Sequence, residues 1–274
     1  MLSKILKYEM KATIKPMAII NAMVIFSTII GFFYVANLDV EEILRTENST
    51  SFAIMLMLGI MYIVGLAISS FVSYLVILIR YGKTMYGSNG YLSWTLPVKR
   101  GTLINGKLIN GVIWSIVNIV ICVGSFCWLL AFYLSKAGVN LHDVIHGIPS
   151  EITGHFILPM LMLLLIGVIA SVFIGYFCIT VGQLMKEHKV LGTIIAFVGV
   201  YIVQQVANTI VIVGGGFFSY MNQPTVHATA TGFDMEYLGI YDTMVYGQIA
   251  VILVIALVSL VACHLIPRKK INLD

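Results

Sequence analysis

Charged residues are scarce in this chain. Asp, Glu, Lys and Arg make up 10% of its 274 residues, whereas 59% are hydrophobic and the mean hydropathy is +0.99. A soluble domain carries roughly 25% charged and 45–50% apolar residues. The shortage of charge excludes a water-soluble globular enzyme, a disordered tail and a disulfide-linked secreted module. It predicts an all-α polytopic membrane protein, for which no nucleic-acid partner is expected.

Cysteine is rare as well, and the cysteines form no pattern. All four lie inside apolar stretches and lack the paired spacing of a metal site or a disulfide framework: Cys122, Cys127, Cys178 and Cys263. We interpret them as small buried hydrophobic side chains. No metal site and no catalytic group are expected in the chain.

Six segments are long enough to cross a membrane, since a spanning helix needs about 20 mostly apolar residues. They are approximately Met17–Leu38, Phe52–Ile79, Leu108–Leu134, Phe156–Met185, Val190–Val213 and Val245–Ile266. Lys, Arg, Asp and Glu are absent from all six segments. Their absence argues against an ion-coupled transporter, and it disfavours an integral membrane enzyme, because both usually place ionisable groups at bilayer depth.

Basic residues are strongly biased toward one set of gaps and ends. Fourteen of the 16 lie in the amino-terminal segment, the second and fourth gaps and the carboxyl-terminal tail, and the other two are Arg45 and Lys136. The positive-inside rule therefore predicts that both termini are cytoplasmic.

The first 16 residues form a separate pattern. Lys4, Lys7, Lys11 and Lys15 recur at helical spacing on one side, and Pro16 is expected to end the helix. A basic amphipathic helix of this kind is expected on the anionic inner leaflet. We therefore divide the chain into an interfacial helix (1–16), a six-helix transmembrane domain (17–267) and a basic cytoplasmic tail (268–274).

Three motif-like patterns do not support a site. The P-loop-like stretch Gly101–Leu108 has Leu108 where a magnesium ligand is needed. Glu41–Arg45 has one residue too few for the paired-glutamate motif of membrane-embedded CAAX-type proteases. His142 and His146 are four residues apart, but a third metal ligand, such as Glu151 or His155, would have to come from the same polar linker.

Uncharged polar residues inside the spans are candidates for a substrate path. They are Asn110 and Asn118 in the third span and Gln204, Gln205 and Asn208 in the fifth. Hydrogen bonding between helices is the alternative role, and the sequence leaves both open.

The gap between the second and third spans is the most informative stretch. Three glycines break the preceding helix, an apolar and aromatic stretch follows, Pro97 ends it, and Lys99, Arg100 and Lys107 lead into the third span. This arrangement, with its Gly-Tyr-Leu and Thr-Leu-Pro-Val sequences, resembles the corresponding loop of ABC-2-type transporter permeases. It departs from many of those proteins at Asn89, where they have Glu.

The resemblance implies a partner and a role for this loop. Two copies of a separate ATP-binding-cassette subunit would bind ATP and Mg, so this chain itself would need no cofactor and would not be an enzyme. The loop residues that would contact the ATPase are Tyr86, Gly90, Tyr91, Leu92, Ser93, Trp94, Thr95, Leu96 and Pro97. A lesser contact would come from Lys186, Glu187, His188 and Lys189.

The resemblance also implies the function. The chain is expected to be a multi-pass permease subunit of an exporter in the bacterial cytoplasmic membrane, paired with a second copy or a paralogue. Small permeases of this kind are similar to exporters of amphipathic antimicrobial or cytolytic peptides, including phenol-soluble modulins. Lipid or polysaccharide export is the alternative within the class. An integral membrane enzyme and a membrane anchor for a signalling partner are the alternatives outside it.

Overall fold

The computed structural model describes residues 2–37, 49–87, 90, 95, 98–139, 153–185, 188–222 and 235–269. Six long α-helices make up nearly all of this part of the chain: α1 (Leu2–Asn37), α2 (Ser49–Met85), α3 (Arg100–Lys136), α4 (Leu158–Gly182), α5 (Lys189–Asn222) and α6 (Met235–Lys269). A single π-helical turn, Thr153–Ile157, precedes α4. All six helices are long and apolar enough to cross a membrane. The predicted all-α polytopic fold with six spans is confirmed.

The first helix does not end where the sequence predicts. α1 runs from Leu2 to Asn37 with Pro16 inside it, so the predicted helix end at Pro16 is wrong. Proline removes one backbone hydrogen bond from a helix. Thr13 and Met17, on either side of Pro16, are both completely buried, so packing holds the helix together across the proline. A membrane-surface position for residues 1–16 stays a prediction.

The helices belong to two compact units. The first unit consists of Met1–Ile77 and Ile109–Ile148, and the second consists of Leu78–Leu108 and Pro149–Asp274. Helices α2 and α3 therefore contribute to both units. The residues around the gap that joins them belong to the second unit.

In the first unit, α1 and α3 run parallel to each other. Contacts join residues whose numbers rise together along the two helices: Thr13 with Trp114, Asn21 with Asn118, and Phe32 with Trp128. Tyr62 brings in α2, because its hydroxyl lies 3.1 Å from both Thr28 Oγ1 and Ser125 Oγ. Parallel packing is what a first and a third span require, since they cross the membrane in the same direction.

In the second unit, α4, α5 and α6 pack against one another. The turn between α4 and α5 is tight, because a Cβ atom added at Gly182 would collide with Thr193. At the other end of α4, the ring of Phe156 stacks on Tyr241 with centroids 4.0 Å apart. His155 Nδ1 lies 2.5 Å from Asp242 Oδ2 beside this pair, so both ends of α4 are held by neighbouring helices.

Candidate functional site

The gap that resembles a permease loop spans residues 86–99, between the end of α2 and the start of α3. Of the nine predicted contact residues, the structure describes Tyr86, Gly90 and Thr95. Tyr86 and Gly90 are buried, whereas Thr95 is exposed. The other six lie outside the described residues: Tyr91, Leu92, Ser93, Trp94, Leu96 and Pro97. The loop therefore begins with a side chain that is packed into the protein.

Three buried tyrosines fasten the end of α2 to α4. The rings of Tyr81 on α2 and Tyr176 on α4 stack with centroids 3.8 Å apart and planes within 8° of each other. The ring of Tyr86 meets Tyr81 edge to face at 6.1 Å. Stacked and edge-to-face pairs contribute about 0.5–1.5 kcal/mol beyond the area they bury. The first loop residue is thus continuous with an aromatic cluster.

Thr180 on α4 joins the tyrosine hydroxyls. Its hydroxyl donates to the carbonyl of Tyr176 at 2.7 Å and accepts a hydrogen bond from Tyr86 at 3.2 Å. The hydroxyl of Tyr81 lies 3.3 Å from the same oxygen. A threonine hydroxyl has one hydrogen to donate and two lone pairs to accept, so Thr180 has the capacity to accept from both tyrosines. We name Tyr81, Tyr86, Tyr176 and Thr180 the tyrosine–threonine cluster.

Tyr86 must be protonated to donate its hydrogen bond to Thr180. Burial raises the pKa of Tyr86 above its ordinary value, and the hydrogen bond to Thr180 offsets part of that shift. The phenol therefore keeps its proton at physiological pH and remains a donor.

Lys107 connects the start of α3 to the same cluster. Its side chain is buried, with 4% exposed, and Nζ donates to Thr84 Oγ1 at 2.7 Å. The hydroxyl of Tyr176 donates to the backbone carbonyl of Lys107 at 3.3 Å. A buried ammonium is costly unless it is hydrogen-bonded, which explains the close contact with Thr84. Lys107 is also the lysine that the resemblance places at the opening of the third span.

Both stems of the 86–99 loop are therefore fixed to one helix. The α2 stem is held through Tyr81 and Tyr86, and the α3 stem is held through Lys107, all by contacts that converge on Tyr176 and Thr180 of α4. The end of α2, the start of α3 and the end of α4 are therefore joined by direct contacts.

The predicted lesser contact lies at the turn between α4 and α5. His188 is exposed and Lys189 is half-buried, whereas Lys186 and Glu187 lie outside the described residues. A Cβ atom added at Gly192 would come within 2.9 Å of the carbonyl oxygen of Gly182. This close approach holds the turn between the two helices.

Two of the predicted substrate-path residues bridge helices. Asn118 Nδ2 donates to Asn21 Oδ1 at 3.0 Å, and Asn110 Oδ1 lies 3.3 Å from the hydroxyl of Thr13. Both asparagines are buried in the first unit. These contacts are the interhelical hydrogen bonds that the sequence left open as the alternative.

The other three substrate-path residues lie on α5, in the second unit. Gln204 and Asn208 are half-buried, whereas Gln205 is exposed and donates through Nε2 to the hydroxyl of Tyr201 at 3.0 Å. Asn208 Oδ1 is buried without a hydrogen-bond partner in the described part of the chain. The five residues are thus divided between the two units.

Sequence reasoning missed the tyrosine–threonine cluster except for Tyr86. Its other members are uncharged residues inside apolar spans, where nothing in the composition sets them apart. One signal was available: Tyr176 and Thr180 are four residues apart, which places both on one face of a helix.

The candidate metal ligands do not assemble. The residues that the structure describes include no group of three or more His, Cys, Asp or Glu side chains. His155 pairs with Asp242, while His142, His146 and Glu151 lie outside the described residues. Three cysteines are buried as predicted. Cys127 is exposed, so the prediction is wrong for that residue.

Comparison of the chain with protein-family models, with curated proteins and with solved structures yields no match.

Proposed function

We propose that this chain is the transmembrane permease subunit of an ATP-driven ABC-2-type exporter in a bacterial cytoplasmic membrane. The observation that carries the proposal is the fixing of both stems of the 86–99 loop to α4 by the tyrosine–threonine cluster and Lys107. The resemblance of that loop to permease coupling loops supplies the partner, a separate ATPase subunit.

The cluster would make the loop a rigid coupling element. Closure of two ATPase subunits around ATP would push on the apolar stretch between Tyr86 and Pro97. Because Tyr86 and Lys107 both connect to α4, that push would reach three spans at once. The turn at His188 and Lys189 would add a second contact.

The substrate we propose is an amphipathic antimicrobial or cytolytic peptide. The six predicted spans contain no Lys, Arg, Asp or Glu, which suits a substrate that enters from the membrane with an apolar face. Lipid or polysaccharide remains the alternative substrate. Peptide-stimulated ATP hydrolysis by the assembled transporter, measured against a lipid and a polysaccharide, separates these substrates.

Co-purification tests the role of the loop. The chain is co-expressed with the ATPase encoded by a neighbouring gene, and capture of the chain is expected to recover that ATPase. Replacing Tyr91→Ala and Leu92→Ala should lower the recovered ATPase or abolish substrate-stimulated hydrolysis, because truncating a central interface anchor costs about 2 kcal/mol or more. Membrane insertion should be unchanged.

Ser27→Ala is the control for the loop double variant. Ser27→Ala removes only a hydroxyl that donates to the carbonyl of Val24 in α1. It should leave recovery and hydrolysis as in the unmodified chain. Normal assembly and transport by the loop double variant would contradict the coupling role of the loop. ATP binding by the isolated chain would contradict the proposal that a separate subunit binds ATP.

A further inference from the structure

The π-helical turn before α4, Thr153–Ile157, contains no buried residue, and we name it the α4 strap. Pro159 follows it in the first turn of α4 and is completely buried. Because proline has no N–H, it cannot donate to the carbonyl of His155, four residues earlier. The α-helical hydrogen bonds are therefore interrupted between the strap and the body of α4. Prolines and π-helical turns are the positions at which helices bend.

Two adjacent side chains of the strap contact α6. His155 Nδ1 lies 2.5 Å from Asp242 Oδ2, and the ring of Phe156 stacks on Tyr241 with planes 15° apart. The side chain of His155 is 48% exposed and that of Asp242 is 22% exposed, so water reaches the pair. Contacts between exposed charged or polar groups contribute little to stability, because water competes for both partners. The attachment of the strap to α6 is therefore weak enough to be broken.

The attached position also leaves one polar atom unsatisfied. Asp242 Oδ1 is buried and has no hydrogen-bond partner in the described part of the chain. A buried acceptor without a partner costs free energy. Movement of the strap away from α6 would let water reach this oxygen, which offsets part of the free energy lost with the His155 contact.

The two ends of α4 are thus held in different ways. At the end near the 86–99 loop, the four members of the tyrosine–threonine cluster are buried. At the strap end, the contacts with α6 come from a turn that has no buried residue. Segments with few buried contacts open locally at free energies well below that of global unfolding.

We propose that the α4 strap is a lid over the first turns of the α6 span, with Pro159 as its hinge and the His155–Asp242 contact as its latch. His155 and Phe156 are neighbours, so opening breaks the latch and the ring stack together. The buried Pro159 keeps the body of α4 in place. The positive-inside rule predicts that this end of α4 is outside the cell, so the lid opens toward the outside.

This inference does not rest on the proposed function, because an opening strap requires neither an ATPase nor a substrate. Failure of the ATPase to co-purify would leave the lid untouched. A strap that never opens would equally leave the coupling role of the 86–99 loop untouched.

Cysteine labelling tests the lid with the full chain, purified into lipid nanodiscs. Cys127→Ser removes the one exposed native cysteine, since Cys122, Cys178 and Cys263 are buried. Val245→Cys is the reporter, because Val245 is 6% exposed and lies one turn along α6 from Tyr241 and Asp242, on the same face. Ile249→Cys, which is 8% exposed in the native chain and one turn further along, is the second reporter.

His155→Ala should speed the labelling of position 245 by a water-soluble maleimide about tenfold, because hydrogen bonds to charged groups contribute on that scale. Labelling of position 249 should not change. Ile157→Ala is the matched control, since Ile157 is an exposed residue of the same strap, and it should change the rate less than about twofold. His155→Gln keeps a side-chain donor and should retain part of the protection.

A double variant tests whether His155 and Asp242 act as a pair. With the latch already lost in His155→Ala, the addition of Asp242→Ala should make labelling no faster. A rate equal to the product of the two separate effects would show that the residues act independently, and the latch would be overturned.

Three further results would overturn the lid. An unchanged rate at position 245 in His155→Ala would show that the contact with Asp242 does not hold the strap. Equal acceleration at positions 245 and 249 would show that α6 loosens as a whole. The same acceleration in Ile157→Ala as in His155→Ala would show that any change in the strap has this effect.

Discussion

The two units use polar side chains in different ways. In the first unit, polar contacts are spread along the parallel helices α1 and α3, with Thr13, Asn21 and Thr28 placed about two helical turns apart. In the second unit, they are concentrated at one end of α4 around Thr180. Each contact in the first unit joins the helices at one height along α1. The Thr180 hydroxyl by itself contacts the carbonyl of Tyr176 in α4, Tyr81 near the end of α2 and Tyr86, the first residue of the loop.

This difference predicts unequal sensitivity to single substitutions. Loss of one polar contact in the first unit leaves the other contacts along the helices intact. Loss of the Thr180 hydroxyl removes one partner that two buried phenols share, so both are affected by a single substitution. A single substitution of a polar residue in the first unit should therefore lower stability less than loss of Thr180 does in the second unit.

Thr180→Val is expected to have the largest effect. It keeps the shape of the side chain but removes the acceptor of the Tyr86 hydroxyl and a partner of the Tyr81 hydroxyl. The free energy of unfolding should fall by about 1–3 kcal/mol, measured by thermal or denaturant unfolding in detergent. In the proposed transporter, substrate-stimulated hydrolysis should fall more than the basal rate does.

The matched control for that prediction is Ser27→Ala, whose hydroxyl makes a local bond within α1. A loss of stability no greater than in this control would contradict the central role of Thr180. Restored coupling in Thr180→Ser, which retains the hydroxyl, would strengthen it.

The asparagine pair of the first unit should show a smaller effect. Asn118→Leu leaves Asn21 without its partner, and the free energy of unfolding should fall by about 0.6 kcal/mol, with an upper bound of about 1.7 kcal/mol. The double variant Asn21→Leu with Asn118→Leu should recover most of that loss, because neither polar group is then stranded. A double-mutant cycle in detergent measures the coupling, and strict additivity would show that the two side chains do not interact.

Lys136 should give the smallest effect. Its ammonium donates to the carbonyl oxygens of Val35 and Ala36 in the last turn of α1, where a positive charge also favours the helix dipole. Lys136→Met should lower the free energy of unfolding by about 0.3 kcal/mol, because the side chain is exposed, and the difference should shrink as salt is raised. A difference that does not respond to salt would point to lost packing of the side chain instead.

The number and approximate limits of the helices could be predicted from sequence, for a simple physical reason. A backbone in hydrocarbon must satisfy its hydrogen bonds internally, so a long apolar segment can scarcely be anything but a helix. The prediction was wrong at Pro16, because burial of Thr13 and Met17 outweighs the local preference of proline to end a helix. Hydropathy carries no information about such lateral packing.

The sequence by itself determined that this chain is an all-α protein with six spans, because length and hydropathy decide which segments can cross a membrane. It also predicted a loop between the second and third spans, although Gly82, one of the three glycines expected to break the helix, lies inside α2. Only the tertiary structure decided which polar residues meet. It paired Asn118 with Asn21, gathered the tyrosines around Thr180 and left Gln205 exposed on α5. In spans that are apolar on every side, hydropathy cannot tell which face of a helix meets which neighbour, and those contacts depend on how the helices pack.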